Sequence, residues 1–225
     1  MKTTRMAVFV AAASAAVSLL SASVALAQDA APAVVVAAND AAAAEYRAIT
    51  TCTWCHGPQG HSISPIYPAL AGQKAWYVLA QLQAFKAQTR ADPYARGMMW
   101  GMAAQLDDTT MTALADYYSK QTPFASSPAP FSHSTATAAA IEHGKSVYNE
   151  GDPAHGVPPC AACHGPDASG SEQFPRLAGQ HASYTLKQLR ALHSGARVSV
   201  VMNGVAAPLQ EPEMNAVSLY LESLH

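Results

Sequence analysis

Two short stretches hold all four cysteines of the chain: CTWCHGPQG at Cys52 to Gly60 and CAACHGPDASG at Cys160 to Gly170. In each, two thiols stand two residues apart and an imidazole follows at once, at His56 and His164. Three chemistries use such groups. Disulfides Cys52–Cys55 and Cys160–Cys163 would close loops too small to add much chain-entropy stabilisation. As redox devices they belong in a βαβ setting, whose pattern is missing here. Zinc sites usually space the histidine away from the paired cysteines, and adjacent Cys and His are awkward ligands for one ion. The third chemistry fits the spacing. Two such thiols add across the two vinyl groups of one haem, and the next residue turns its imidazole onto the iron. Two sites with no spare cysteine imply two covalent haem c groups per chain. Cys52, Cys55, Cys160 and Cys163 are the thioether donors, and His56 and His164 the axial ligands.

The start of the chain bears on the compartment. Lys2 and Arg5 precede the apolar run MAVFVAAASAAVSLL, and ALA at Ala25 to Ala27 has the small-x-small form of a cleavage site. The segment 1–27 reads as a secretory signal peptide, against the alternative of an uncleaved anchor. An exported, periplasmic protein follows. After cleavage it carries 11 basic against 15 acidic residues, a net charge of −4. That balance gives no basic patch for nucleic acid.

The chain is duplicated. YPALAGQKAWYVLAQLQAFKAQTR, Tyr67 to Arg90, aligns without a gap on FPRLAGQHASYTLKQLRALHSGAR, Phe174 to Arg197. MWGMAAQL at Met99 to Leu106 matches MNGVAAPL at Met202 to Leu209. The expected organisation is an N-terminal domain over 28–125 and a C-terminal domain over 126–225, joined by a Pro- and Ser-rich linker at about 119–134. Each copy reads as mostly helical. An Ala-rich helix from Asp40 to about Thr51, and one from Thr135 to Tyr148, lead into the cysteine sites. Irregular loops follow the sites. Helices then open after Gly72 and Gly179, with apolar faces at Trp76, Leu79, Ala80, Leu82 and Phe85 in one copy and Leu186, Leu189 and Leu192 in the other. Last helices start after Asp107–Asp108 and Glu211–Glu213. The fold class is all-α.

The second axial ligand decides between electron transfer and small-molecule chemistry. Beyond the signal six methionines remain, at 98, 99, 102, 111, 202 and 214. Equivalent haems should use equivalent residues, and only Met99 with Met202 and Met111 with Met214 occupy matching positions. The second pair reads as core of the last helix. The first lies in M-x-G-x-A-A-x-L, read as a glycine-containing loop, so Met99 and Met202 are the candidates and Met98 is the rival to Met99. A thioether is soft and neutral, favours the ferrous iron, and closes it to peroxide or oxygen. His61, His143, His155, His181 and His193 read as surface polar residues rather than ligands.

With its two CxxCHG sites, PALAGQ and PRLAGQ, paired M-x-G-x-A-A-x-L loops, ALADYY and LYLESLH, the chain resembles the dihaem cytochromes c4 of bacteria. The resemblance covers nearly all of the mature chain. It implies two tandem class I cytochrome c domains related by a pseudo-twofold axis, one haem each, with the haems facing one another across the interface. It also implies the axial pairs His56 with Met99 and His164 with Met202. The chain departs from the family in its Pro/Ser-rich linker, in a short connection before Phe174, and in QDAAPAVVVAAND, an apolar start that leaves peripheral membrane association open.

The function expected on these grounds is a periplasmic, monomeric, non-enzymatic electron carrier. Its donor would be a quinol-oxidising complex or a dehydrogenase, and its acceptor a terminal oxidase. Residues 28–125 and 126–225 carry net charges of −1 and −3, too small for strong electrostatic steering. Docking through an apolar haem edge is therefore expected. Two other classes use the same groups. One is a dihaem enzyme, a peroxidase or a sulfur-compound oxidoreductase, which needs an open iron. The other is a fixed electron-transfer subunit of a dehydrogenase.

Overall fold

The computed structural model describes residues 40–123 and 138–224. The expected signal segment and most of the expected linker lie outside these residues. In chain order the first half has α1 (residues 40–47), a π turn (Ala48–Cys52), α2 (Thr53–His56), a 3-10 turn (Pro58–Gly60), α3 (Ala75–Lys86), a second π turn (Ala95–Met99), α4 (Trp100–Ala104) and α5 (Asp108–Ser119). The second half has α6 (Ala138–Glu150), α7 (Ala161–His164), α8 (Ala182–His193), α9 (Met202–Ala206) and α10 (Glu211–Ser223). Among the described residues there is no strand, only an isolated bridge between Asp152 and Val157.

Local chemistry sets these limits. Asp107 caps α5, accepting the Thr110 N–H at 2.7 Å, with Asp108 in the first turn. Gln210 and Glu213 form a capping box at the start of α10, with Pro212 in the first turn, where a missing N–H costs nothing. The acidic residues read as helix starts do that work. The halves differ ahead of the cysteines. In the first, α1 runs through the π turn straight into α2. In the second, α6 stops at Glu150 and an irregular segment, 151–159, intervenes before Cys160.

Each half has its own core. α1, α3 and α5 surround Ala44, Ala48, Leu106, Met111, Leu114 and Tyr118, while Phe85, Ala95 and Ala103 form a smaller cluster beside them. In the second half, α6, α8 and α10 enclose Val147, Tyr148, Leu192, Leu209, Met214, Val217 and Leu221. Met111 and Met214 are buried core residues, at 1% and 4% exposure. α6 and α10 cross very closely, because a Cβ on Gly144 would lie 2.0 Å from the Ala216 carbonyl oxygen.

Two readings of local structure are corrected. The face drawn on α3 from Trp76, Leu79, Ala80, Leu82 and Phe85 is corrected in part: Leu79, Leu82 and Phe85 pack into the cores as read, whereas Trp76 and Ala80 are exposed and Val78 is buried. The M-x-G-x-A-A-x-L segments are not loops. They form the short helices α4, which starts directly after Met99, and α9, which starts at Met202.

The halves pack against each other through paired counterparts. Gln73 accepts the Arg176 N–H and donates to the Arg176 carbonyl, both at 2.9 Å. Gln180 does the same to Ala69, at 3.0 Å in both directions. Gln73 and Gln180 are equivalent in the duplication, as are Ala69 and Arg176. The contact therefore has pseudo-twofold symmetry.

Candidate functional site

His56 and His164 each end a four-residue helix that begins at the position after the first cysteine of the motif. Gly57 and Gly165 follow with φ of 74° and 82°, where the chain turns sharply away from the ring. Both histidines are buried, at 8% and 5% exposure. Each Nδ1 is tied to a carbonyl twelve or so residues on: Pro68 at 2.9 Å for His56 and Pro175 at 3.0 Å for His164. A carbonyl only accepts, so Nδ1 carries the proton and Nε2 presents its lone pair. Burial pushes both imidazoles below their ordinary pKa, against the smaller opposing effect of that hydrogen bond. Neutral rings with Nε2 available are the form an iron ligand needs. Tyr67 packs edge-on against the His56 ring and its counterpart Phe174 against His164.

None of the four cysteines forms a disulfide. Burial raises the Cys52 thiol, and pushes Cys160 up to about 11. Cys52 lies against the first core, while Cys160 and Met202 lie against the second. Of the clustered methionines, Met99 is half-buried and packs with Trp100 against Phe85, Ala95 and Ala103, whereas Met98 and Met102 are 44% and 40% exposed. α3 joins the two places, supplying Leu79 and Leu82 beside Cys52 and Phe85 beside Met99.

The donor set fits covalent haem. Each half offers two thiols and one buried, oriented imidazole. At the interface, Arg90 and Arg197 bring two guanidiniums together around Gln81 and Gln188. Asp92 pairs with Arg90 at 2.8 Å, and among the described residues no carboxylate pairs with Arg197.

The cytochrome c family model matches the chain twice, over residues 41–121 and 141–225. A cytochrome c4 of Thiocapsa roseopersicina is 42% identical over 83% of this chain and 93% of its own length. The chain belongs to the cytochrome c4 family. The solved structure of Acidithiobacillus ferrooxidans cytochrome c4 matches it with a TM-score of 0.70 at 41% identity, covering 77% of this chain and 98% of that one. A thiosulfate dehydrogenase electron acceptor of Thiomonas intermedia is 37% identical over 76% of this chain and 77% of its own length. As a member of the cytochrome c4 family, the chain is an all-α protein of two tandem cytochrome c domains with two haem c groups.

Sequence reasoning expected an interface in this cytochrome c4 family member but missed the residues that form it. Gln73, Tyr77, Gln81 and Arg90 recur as Gln180, Tyr184, Gln188 and Arg197, and their identity in both copies was the available signal. His181 was read as a surface residue. It is 1% exposed, and its Nε2 donates to the Ser62 carbonyl of the other half at 2.7 Å, with the Glu222 carboxylate 3.5 Å from Nδ1. His61 bonds the Thr122 carbonyl at 2.9 Å and His193 that of Ala206 at 2.9 Å, while His143 is exposed.

Proposed function

We propose that this protein is a periplasmic single-electron carrier with two closed haem sites. Cys52, Cys55 and His56 hold one haem and Cys160, Cys163 and His164 the other. Met99 and Met202 would each supply the second protein donor to the iron. The group supplies an iron that gains and loses one electron. The chain supplies everything that keeps this exchange simple. The Nδ1–carbonyl bonds fix both imidazoles in one tautomer and orientation, so neither ring reorganises as charge arrives. Met99 and Met202 add soft, neutral sulfur that favours the reduced state and excludes oxygen and peroxide. The single observation that carries this reading is the matched pair of buried histidines with their Nδ1 atoms committed to carbonyls.

The donor on this reading is a quinol-oxidising complex or a dehydrogenase, and the acceptor an oxidase. The test is the optical spectrum of the periplasmic protein beside Met99→Ala and Met202→Ala, with haem counted as the pyridine haemochrome. Two haems, and the weak far-red band of Met-to-ferric-iron ligation halved in each variant, are expected. A band untouched by Met99→Ala overturns that ligand. Ready binding of cyanide or peroxide by the wild type turns the reading to an enzyme.

The similarity to a thiosulfate dehydrogenase electron acceptor favours a second reading, in which the same relay serves one dehydrogenase as its fixed subunit. Stable co-purification with such an enzyme from native cells separates it from a diffusing carrier.

A further inference from the structure

The two halves part ways just ahead of the second cysteine site. In the first half α1 runs on through a π turn to Cys52, whereas residues 151–159 are interposed between α6 and Cys160. The first half does without such a segment, so the cysteine motif does not call for it. Its backbone is nonetheless held in one shape. Asp152 and Val157 exchange both N–H and C=O bonds at 2.9 Å, and the Asp152 carboxylate accepts the Ala154 N–H at 3.0 Å. Val157 is 2% exposed and anchors the turn in the core of this half.

The turn carries Asp152 and His155, and α10 brings Glu213 to them. A carboxylate oxygen of Asp152, one of Glu213 and a ring nitrogen of His155 all lie within 4.8 Å of one another. His155 Nδ1 is 2.5 Å from the Asp152 carboxylate. Glu213 stands in the first turn of α10, is 6% exposed, and gives one oxygen to the Gln210 N–H at 2.7 Å. The Asp152 and Glu213 carboxyl groups are themselves in hydrogen-bonding contact. Two carboxylates brought together with one of them buried repel each other unless a proton or a cation lies between them. Among the described residues no lysine or arginine pairs with either.

We propose that Asp152, His155 and Glu213 form a binding site for one divalent cation of the zinc class. An imidazole nitrogen with two carboxylate oxygens is a donor set that zinc takes, whereas calcium and magnesium take oxygen alone. Donors around a tetrahedral zinc stand about 3.3–3.6 Å apart, given bonds of about 2.0–2.2 Å. The spacings here run from 2.5 Å for His155 and Asp152 to no more than 4.8 Å, and bracket that value. The His155 and Asp152 side chains are 56% and 24% exposed, so they can shift by the difference and water can complete the coordination. Gln210 holds one Glu213 oxygen and leaves the other for the ion. A bound ion would tie the interposed turn to α10, which supplies Met214, Val217 and Leu221 to the core. Despite the duplication there is one such site per chain, because Thr110 stands where Glu213 would be in the first copy and the turn has no counterpart.

The test is a calorimetric titration of the chelator-washed holoprotein with Zn2+, beside His155→Ala, Asp152→Asn and Glu213→Gln. One Zn2+ per chain is expected, with affinity about tenfold lower or more in each variant. Zn2+ should raise the thermal midpoint of the wild type and leave that of His155→Ala unmoved. Glu213→Gln keeps an oxygen for the Gln210 N–H, and His155→Ala removes an exposed ring, so haem absorbance should be unchanged in both. His143→Ala, which removes another exposed histidine of the same half, should leave the titration as it was. Zinc affinity that survives His155→Ala, or that falls as far in His143→Ala, overturns the proposal, as does a wild type that binds no Zn2+. Ca2+ bound as tightly as Zn2+, and equally well after His155→Ala, overturns the mixed donor set.

Discussion

Gln73 and Gln180 each use one side-chain amide to bind both the N–H and the C=O of a single residue in the opposite half, Arg176 and Ala69 respectively. The amide acts as a peptide unit would in a ladder, with donor and acceptor both satisfied. Gln73→Ala leaves the Arg176 groups without these partners in a half-buried place. It should cost about 2 kcal/mol, as should Gln180→Ala. Urea unfolding followed by haem absorbance measures this. Two losses well below 0.5 kcal/mol would mean that water replaces the amides freely.

Gly144→Ala tests the close crossing of α6 and α10. The new methyl would meet the Ala216 carbonyl oxygen and carbon at 2.0 and 2.4 Å, both backbone atoms with no rotamer to yield. Separation of the helices should cost about 3 kcal/mol or more. Thermal unfolding would show it, and a shift within error would mean that the helices slide apart easily.

Docking should depend weakly on salt. The exposed apolar side chains nearest a cysteine site include Trp54, at 85%, with Tyr46 and Ile49 on the same run of helix at 70% and 56%. In the other half the residues between the cysteines are Ala161 and Ala162. Electron self-exchange between oxidised and reduced protein, read from NMR line broadening, should change less than about threefold between 50 and 500 mM salt. Trp54→Ala should slow it while stability stays within about 0.5 kcal/mol. A tenfold salt effect would point to charge-guided contact.

The cysteine sites were legible because covalent attachment to a rigid macrocycle writes its geometry into spacing. The duplication then sorted the methionines, setting Met111 and Met214 in the cores by a pattern that burial bears out. α3 was harder. It packs both on its own core and on the other half, so its inward surface is split between Val78 and Phe85 and the polar Tyr77 and Gln81. A single apolar stripe drawn through Trp76 and Ala80 could not describe it. Glycine misled at α4 and α9, where it sits inside a helical turn. Gln188 and Arg90 are buried without any local sign of it, since buried polar groups differ from exposed ones only by partners far away in sequence.

The reciprocity of the Gln73 and Gln180 bonds has one more consequence. A contact in which each residue meets the counterpart of its own partner is isologous, the kind a twofold homodimer makes. A half carrying Gln73, Tyr77, Gln81 and Arg90 would present both sides of this surface to a second copy of itself. Tandem fusion turns that association into an intramolecular one, at an effective concentration in the mM range whatever the dilution. Once fused, the two copies are free to diverge on either side of the axis.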